Sequence, residues 1–203
     1  ADGRDPAQVR RAFDEATGEM GGVDVCVDIV GFATYDSILD VTPQDWDAQI
    51  RENLNHVFYV WQEAARRMVA QGTGGSLVAI SSVDGTVAAA FHTAYGAAKA
   101  GVISLAKSFS HEFGKYGIRA NTVAPGNVGS GNMDQPAGQY DVNGINPLAA
   151  PRAIDIARSV LFLCSELSAR TAGQTLLVDG GATTTELWGI TEAMLPTLRK
   201  GLP

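Results

Sequence analysis

Tyr95 and Lys99 stand four residues apart in TAYGAAKAGVISL, a stretch otherwise made of small and apolar residues. On a helix, that spacing puts both side chains on one face, one turn apart. A phenol with its ordinary pKa of about 10 exchanges protons poorly at neutral pH, and a nearby ammonium favours its ionised form. The pair is therefore a candidate for proton chemistry. Ser82 ends an apolar strand-like run shortly before the pair. Asn53 falls in the middle of a long helical pattern, where asparagine has poor helix propensity. Taken singly, Tyr95 and Lys99 also read as a half-buried tyrosine and a solvated lysine.

These residues need a scaffold, and the pattern of the chain supplies one. Asp5-Pro6 is an N-cap with a first-turn proline. Val9, Phe13, Ala16 and Met20 follow at helical spacing, and Gly21-Gly22 ends the helix. Residues 23–31, VDVCVDIVG, read as a strand buried in a parallel sheet. Thr42, Pro43 and Asp45 open a long helix that carries Trp46, Ile50, Leu54, Val57 or Phe58, Trp61, Ala65 and Met68 to Gly72. A second strand spans 74–82, and the segment holding Tyr95 is helical to about Tyr116. A third strand, IRANTVAPG, ends at Pro125-Gly126. Residues 127–151 are rich in Gly, Asn and Pro and look like a loop or lid. RAIDIARSVLFLCSEL is helical, residues 173–181 form a fourth strand, and a short helix is expected around 191–200. Strand and helix alternate without a repeat or a second domain. The expected fold is α/β, one domain with a parallel sheet and helices on both faces, and function then collects at the carboxyl ends of the strands.

Composition narrows the function. The chain has 203 residues, 45% hydrophobic and 18% charged, enough for one α/β domain with a substantial core. A net charge of −7 argues against a nucleic-acid surface. No apolar run is long enough to cross a bilayer, and the acidic start does not resemble a signal peptide. Cys26 and Cys164 sit in apolar runs without metal-ligand spacing, so they read as buried free thiols of a cytoplasmic protein, and no metal site is expected. His92, in the loop before Tyr95, could touch a substrate but reads more readily as an exposed loop histidine, and His56 and His111 as helix-surface residues. The stripe Trp46, Phe58 and Trp61 reads as core or subunit interface.

Ser82, Tyr95 and Lys99 in YGAAK, with Asn53 in WDAQIRENLNHVF, VAPGNV and GQTLLVDGG, occur in the order found in short-chain dehydrogenases/reductases (SDRs), which this sequence resembles from its start to about Gly181. The resemblance implies a Rossmann-like doubly wound parallel sheet, of which residues 1–203 are a single domain, the C-terminal two-thirds, with 129–151 as a substrate lid. It implies an NAD or NADP cofactor and a small alcohol or ketone substrate, with neither nucleic acid nor membrane as partner. Tyr95 would be the general acid/base, helped by Lys99 and by the nicotinamide cation. Lys99 would also hydrogen-bond the nicotinamide ribose. Ser82 would hold the substrate oxygen, and Asn53 would fix a water linking Lys99 to solvent. Cofactor contacts would come from Asp2 near the adenine, Gly31, Tyr95, Lys99, Pro125, Gly126, Val128 and Ser130. Two long helices, residues 43–71 and 92–116, would pack against mates in a homotetramer or homodimer.

The sequence also departs from the family. Where Asn-Asn-Ala-Gly is usual, it has Asp28, Ile29, Val30 and Gly31. The glycine-rich phosphate loop and the strands around it are absent, so the first strand present would be a bare apolar edge. We expect about sixty further residues upstream in the natural protein, roughly one Rossmann mononucleotide half. The residue that separates NAD from NADP belongs to that half. The departures keep two other readings open. One is a dehalogenase or lyase-like relative, although such relatives have arginine in place of Lys99. The other is a non-catalytic member of the same fold.

Overall fold

The computed structural model describes residues 1–88, 90–128, 148 and 150–184. Ser130, nearly all of the expected lid and the expected helix at 191–200 lie outside the described residues.

Four strands form one parallel sheet in the order β1-β2-β3-β4: β1 Val25–Asp28, β2 Gly75–Ile80, β3 Ile118–Pro125 and β4 Thr175–Val178. The register pairs Val27 with Val78 and Ala79 with Thr122. Helix α1 (Pro6–Met20) starts where Asp5 accepts from the amides of Ala7 and Gln8. Helix α2 (Pro43–Ile50) starts at a reciprocal Thr42–Asp45 capping box. The remaining helices are α3 (His56–Gln71), α4 (Thr93–Phe113) and α5 (Ala153–Cys164).

Alternation along β2 assigns the two sides of the sheet, because successive side chains point to opposite faces. Leu77 and Ala79 join the larger core with Val57, Trp61 and Met68 of α3 and Val102 and Phe109 of α4. Val78 and Val123 join a smaller core with Leu163 of α5. Helices therefore cover both faces, as the alternation predicts. Among the described residues no helix is long and apolar enough to cross a membrane.

The structure revises several sequence expectations. β1 is not buried on both faces: Val25 and Val27 are 46% and 39% exposed, because β1 is the edge of this sheet and only one side of it is covered by a helix. The helix expected from Pro43 to Gly72 is interrupted by a π-helical turn at Arg51–Asn55. Trp61 is core, whereas Trp46 and Phe58 are 40% and 37% exposed. Cys26 is buried and free, while Cys164 is only half-buried. His56 is not a surface residue but 2% exposed, and His92 is half-buried, while His111 is exposed as expected.

Candidate active site

β2 delivers Ser81 and Ser82 to its carboxyl end, where they face different ways. The Ser81 hydroxyl donates to the Lys99 carbonyl at 2.9 Å and is buried. Ser82 opens a short 3-10 turn, Val83–Gly85, and accepts from the Asp84 amide at 3.1 Å. That turn lies on the backbone of α4. A Cβ on Gly85 would stand 2.8 Å from the Lys99 carbonyl carbon, and one on Gly96 would stand 2.9 Å from the Asp84 carbonyl oxygen. The two glycines permit an approach that puts Ser82 beside Tyr95 in one cleft.

Lys99 is 2% exposed, and its ammonium donates to the Ile80 carbonyl at 2.9 Å. Burial disfavours the charged form and brings its pKa from 10.5 down to about 8, with the Asp28 carboxylate acting in the opposite direction. Its Nζ lies 5.5 Å from the centre of the Tyr95 ring. The expectation of a phenol acidified by Lys99 is reversed in the chain by itself. Burial pushes the Tyr95 phenol above its ordinary value, the Ser82 hydrogen bond pulls it down, and Asp84 and Tyr35 push it up again.

Asn53 sits in the π-helical turn, fully buried. Its amide nitrogen donates to the Phe32 carbonyl at 2.7 Å and the Gln49 carbonyl at 3.0 Å, and its Oδ1 accepts from the Phe32 amide at 2.9 Å. The side chain expected to fix a water is thus an anchor for the segment after β1. A Cβ on Gly31 of that segment would stand 3.0 Å from Lys99 Nζ and 3.3 Å from Asn53 Oδ1, so glycine leaves the ammonium approachable. Asp28, where the family usually has an amide, is buried with its Oδ1 3.1 Å from His56 Nε2. Asp2 is held by Arg4 at 2.9 Å, which brings its carboxyl down to about 2. A cleft of about 530 Å³ is lined by Asp2, Arg4, Asp28, Gly31 and His56. A second, of about 570 Å³, is lined by Ser82, Tyr95, Pro125, Gly126 and Val128. Gly126 is required there, since its Cβ would stand 2.9 Å from that of Asp179.

Tyr35 and Asp84 of the second cleft were not singled out from the sequence, and His92, which the sequence allows as a substrate contact but favours as an exposed loop residue, lines it too. His92 Nδ1 lies 2.7 Å from Asp84 Oδ2, and its ring centre lies 3.9 Å from that of Tyr35 and 5.5 Å from that of Tyr95. An acid two residues after Ser82 and an imidazole three residues before Tyr95 were the available signal.

A sequence-family model described as enoyl-(acyl carrier protein) reductase matches residues 1–183. A protein of Hericium erinaceus described as a short-chain dehydrogenase/reductase is 35% identical over 181 residues, covering 86% of this chain and 71% of the relative. The chain belongs to the short-chain dehydrogenase/reductase family. Among its SDR relatives, an L-rhamnose-1-dehydrogenase of Scheffersomyces stipitis is 36% identical, covering 87% of this chain and 70% of that one. A gluconate 5-dehydrogenase from Burkholderia cenocepacia, crystallised with NADP and tartrate, superposes with a TM-score of 0.82 at 33% identity, covering 92% of this chain and 74% of that one. SDR membership makes the chain an NAD(P)-dependent oxidoreductase.

Proposed function

We propose that this SDR interconverts a secondary alcohol of a small polyhydroxylated molecule and the corresponding ketone. The observation that carries the reading is that Ser82 and Tyr95 line one cleft on the carboxyl edge of the sheet, with the buried Lys99 Nζ 5.5 Å from the centre of the Tyr95 ring. The chemistry supplied by a bound nicotinamide dinucleotide is hydride exchange, together with positive charge on its oxidised ring. The residues present fit such a ligand in part: Gly31 leaves Lys99 Nζ approachable, and Val30 and Phe32 beside it present exposed apolar surface at 62% and 57%. Asp2, Gly31, Lys99, Pro125, Gly126 and Val128 would line that ligand.

Ser82 holds the reacting oxygen. Tyr95, as phenolate, takes the carbinol proton during oxidation and returns it to the carbonyl oxygen during reduction. Burial and Asp84 hold the unliganded phenol protonated, so its acidity rises only when positive charge enters the cleft beside Lys99. Asn53 acts as a positioning residue that fixes Gly31 and Phe32 over the ammonium. The polyol class follows relatives described as dehydrogenases of L-rhamnose and of D-threitol, the latter 34% identical.

The test is nicotinamide absorbance after adding NAD+ or NADP+ with L-rhamnose, D-threitol and simple secondary alcohols. Tyr95→Phe should lower turnover by about a thousandfold while nucleotide affinity changes little. Full activity in Tyr95→Phe would overturn the assignment.

A further inference from the structure

We propose that Asp84 and His92 form a hydroxyl-binding subsite beside the reacting position, so that the cleft prefers diols and polyols to mono-alcohols. The inference deepens the function proposed above and rests on its placing the reacting carbinol at Ser82 and Tyr95.

Ser82, Asp84, His92, Tyr95 and Tyr35 line one cleft of about 570 Å³. Ser82 and Tyr95 are enough to hold a single reacting oxygen. Asp84 and His92 then remain as a polar wall that holds no reacting oxygen. Both side chains are largely buried, at 17% and 13% exposure, and Asp84 Oδ2 lies 2.7 Å from His92 Nδ1. A carboxylate on Nδ1 favours the tautomer that carries its proton there, and the lone pair is left on Nε2. That Nε2 is buried and has no hydrogen-bond partner among the described residues. An unpaired buried acceptor is costly, and a ligand hydroxyl that completes it gains the difference.

What covers the ring is easily exchanged. Tyr35 lies against the imidazole at 3.9 Å between ring centres but is itself 74% exposed. A ligand can take its place with little loss of buried surface. The His92 and Tyr95 ring centres are 5.5 Å apart. A substrate whose carbinol oxygen sits at Tyr95 therefore brings a hydroxyl on a neighbouring carbon to His92, which accepts it. A mono-alcohol leaves His92 unpaired.

Two measurements test this with the whole chain. The first is the ratio of kcat/KM for D-threitol to that for cyclohexanol. In His92→Phe, which keeps a ring for Tyr35 but no acceptor, the ratio should fall about tenfold or more, mainly through the KM for threitol. His92→Gln, which keeps an acceptor, should recover part of it. An unchanged ratio overturns the proposal, and thermal melting establishes that the variants are folded. The second needs no turnover. In 15N-labelled protein, which has three histidines, the His92 Nε2 resonance should move on titration with threitol and stay in place with cyclohexanol. Equal response to both, or to neither, overturns the subsite. If the wild type turns over no alcohol with either nucleotide, the oxidoreductase mechanism fails, and the titration still decides the subsite.

Discussion

Two histidine–carboxylate pairs lie along the carboxyl edge of the sheet, and they differ in depth. Asp28 and His56 have side chains 3% and 2% exposed, Asp84 and His92 17% and 13%. The first pair joins the end of β1 to the start of α3, beneath the segment that Asn53 anchors. The second joins the turn after β2 to the residue before α4, in the wall of the cleft that holds Tyr95. The same two side-chain types thus lie at the floor of one cleft and in the wall of another. Both pairs line a cleft, and depth makes the difference: the more deeply buried pair exchanges its partner less readily than the one at the cleft wall.

The largest effect should separate the pairs by stability. His56→Ala leaves the Asp28 carboxylate buried without its partner and should cost about 3 kcal/mol or more in denaturant unfolding. His92→Ala, at the cleft wall, should cost about 1 kcal/mol. Equal losses would break the comparison.

Lys99, which feels the Asp28 charge, sharpens the same side. Its folded pKa of about 8 lies below the unfolded 10.5. Between those values the unfolded chain holds a proton that the folded chain does not, so stability rises with pH across that window. The increment is about 3 kcal/mol. Below pH 8 both states are protonated and the burial penalty is constant. Lys99→Met should lack the rise when unfolding is followed from pH 7 to 10.5, and an identical rise in the variant would assign it to other groups.

The cleft-wall pair depends on the turn that carries Asp84. Gly85→Ala puts a methyl 2.8 Å from the Lys99 backbone, and backbone cannot step aside as a flexible side chain can. It should destabilise by about 2 kcal/mol and lower turnover together, because Ser82 and Asp84 move with the turn. The smallest effect concerns Phe91, beside His92, which has a left-handed φ of 66° and is 61% exposed. Phe91→Asn suits that conformation and should stabilise by about 1 kcal/mol in thermal melting. A loss instead would mean that the phenyl ring helps hold the His92 loop.

Much of the fold was legible because local chemistry and global packing agree. Asp5 and Thr42 cap the helices that they were expected to cap, and the alternation of strand and helix gives the parallel sheet. Ser82 was legible by its spacing to Tyr95, and the structure shows why its neighbour Ser81 is not an equivalent: the Ser81 hydroxyl is spent on the Lys99 carbonyl. The partners of Asp28 and Asn53 were not legible. Each is a contact between residues more than twenty positions apart, His56 with Asp28 and Phe32 with Asn53, and no helical or strand period reports such pairs. The sign of the Tyr95 shift was misread for a related reason. Sequence spacing gives the nearness of Lys99, but burial, which dominates, depends on everything packed around the ring.

By itself the sequence determined which residues share a helix face, where helices begin, and that Tyr95 and Lys99 point the same way, because these follow from the 3.6-residue period and from capping chemistry within a few residues. Only the tertiary structure decided that His56 is almost fully buried at one cleft while His92 is half-buried at another, that Lys99 is desolvated, and that Asn53 holds the backbone at Phe32. Burial and desolvation are set by segments distant in the chain, and they decide whether a polar group braces the fold or meets a ligand.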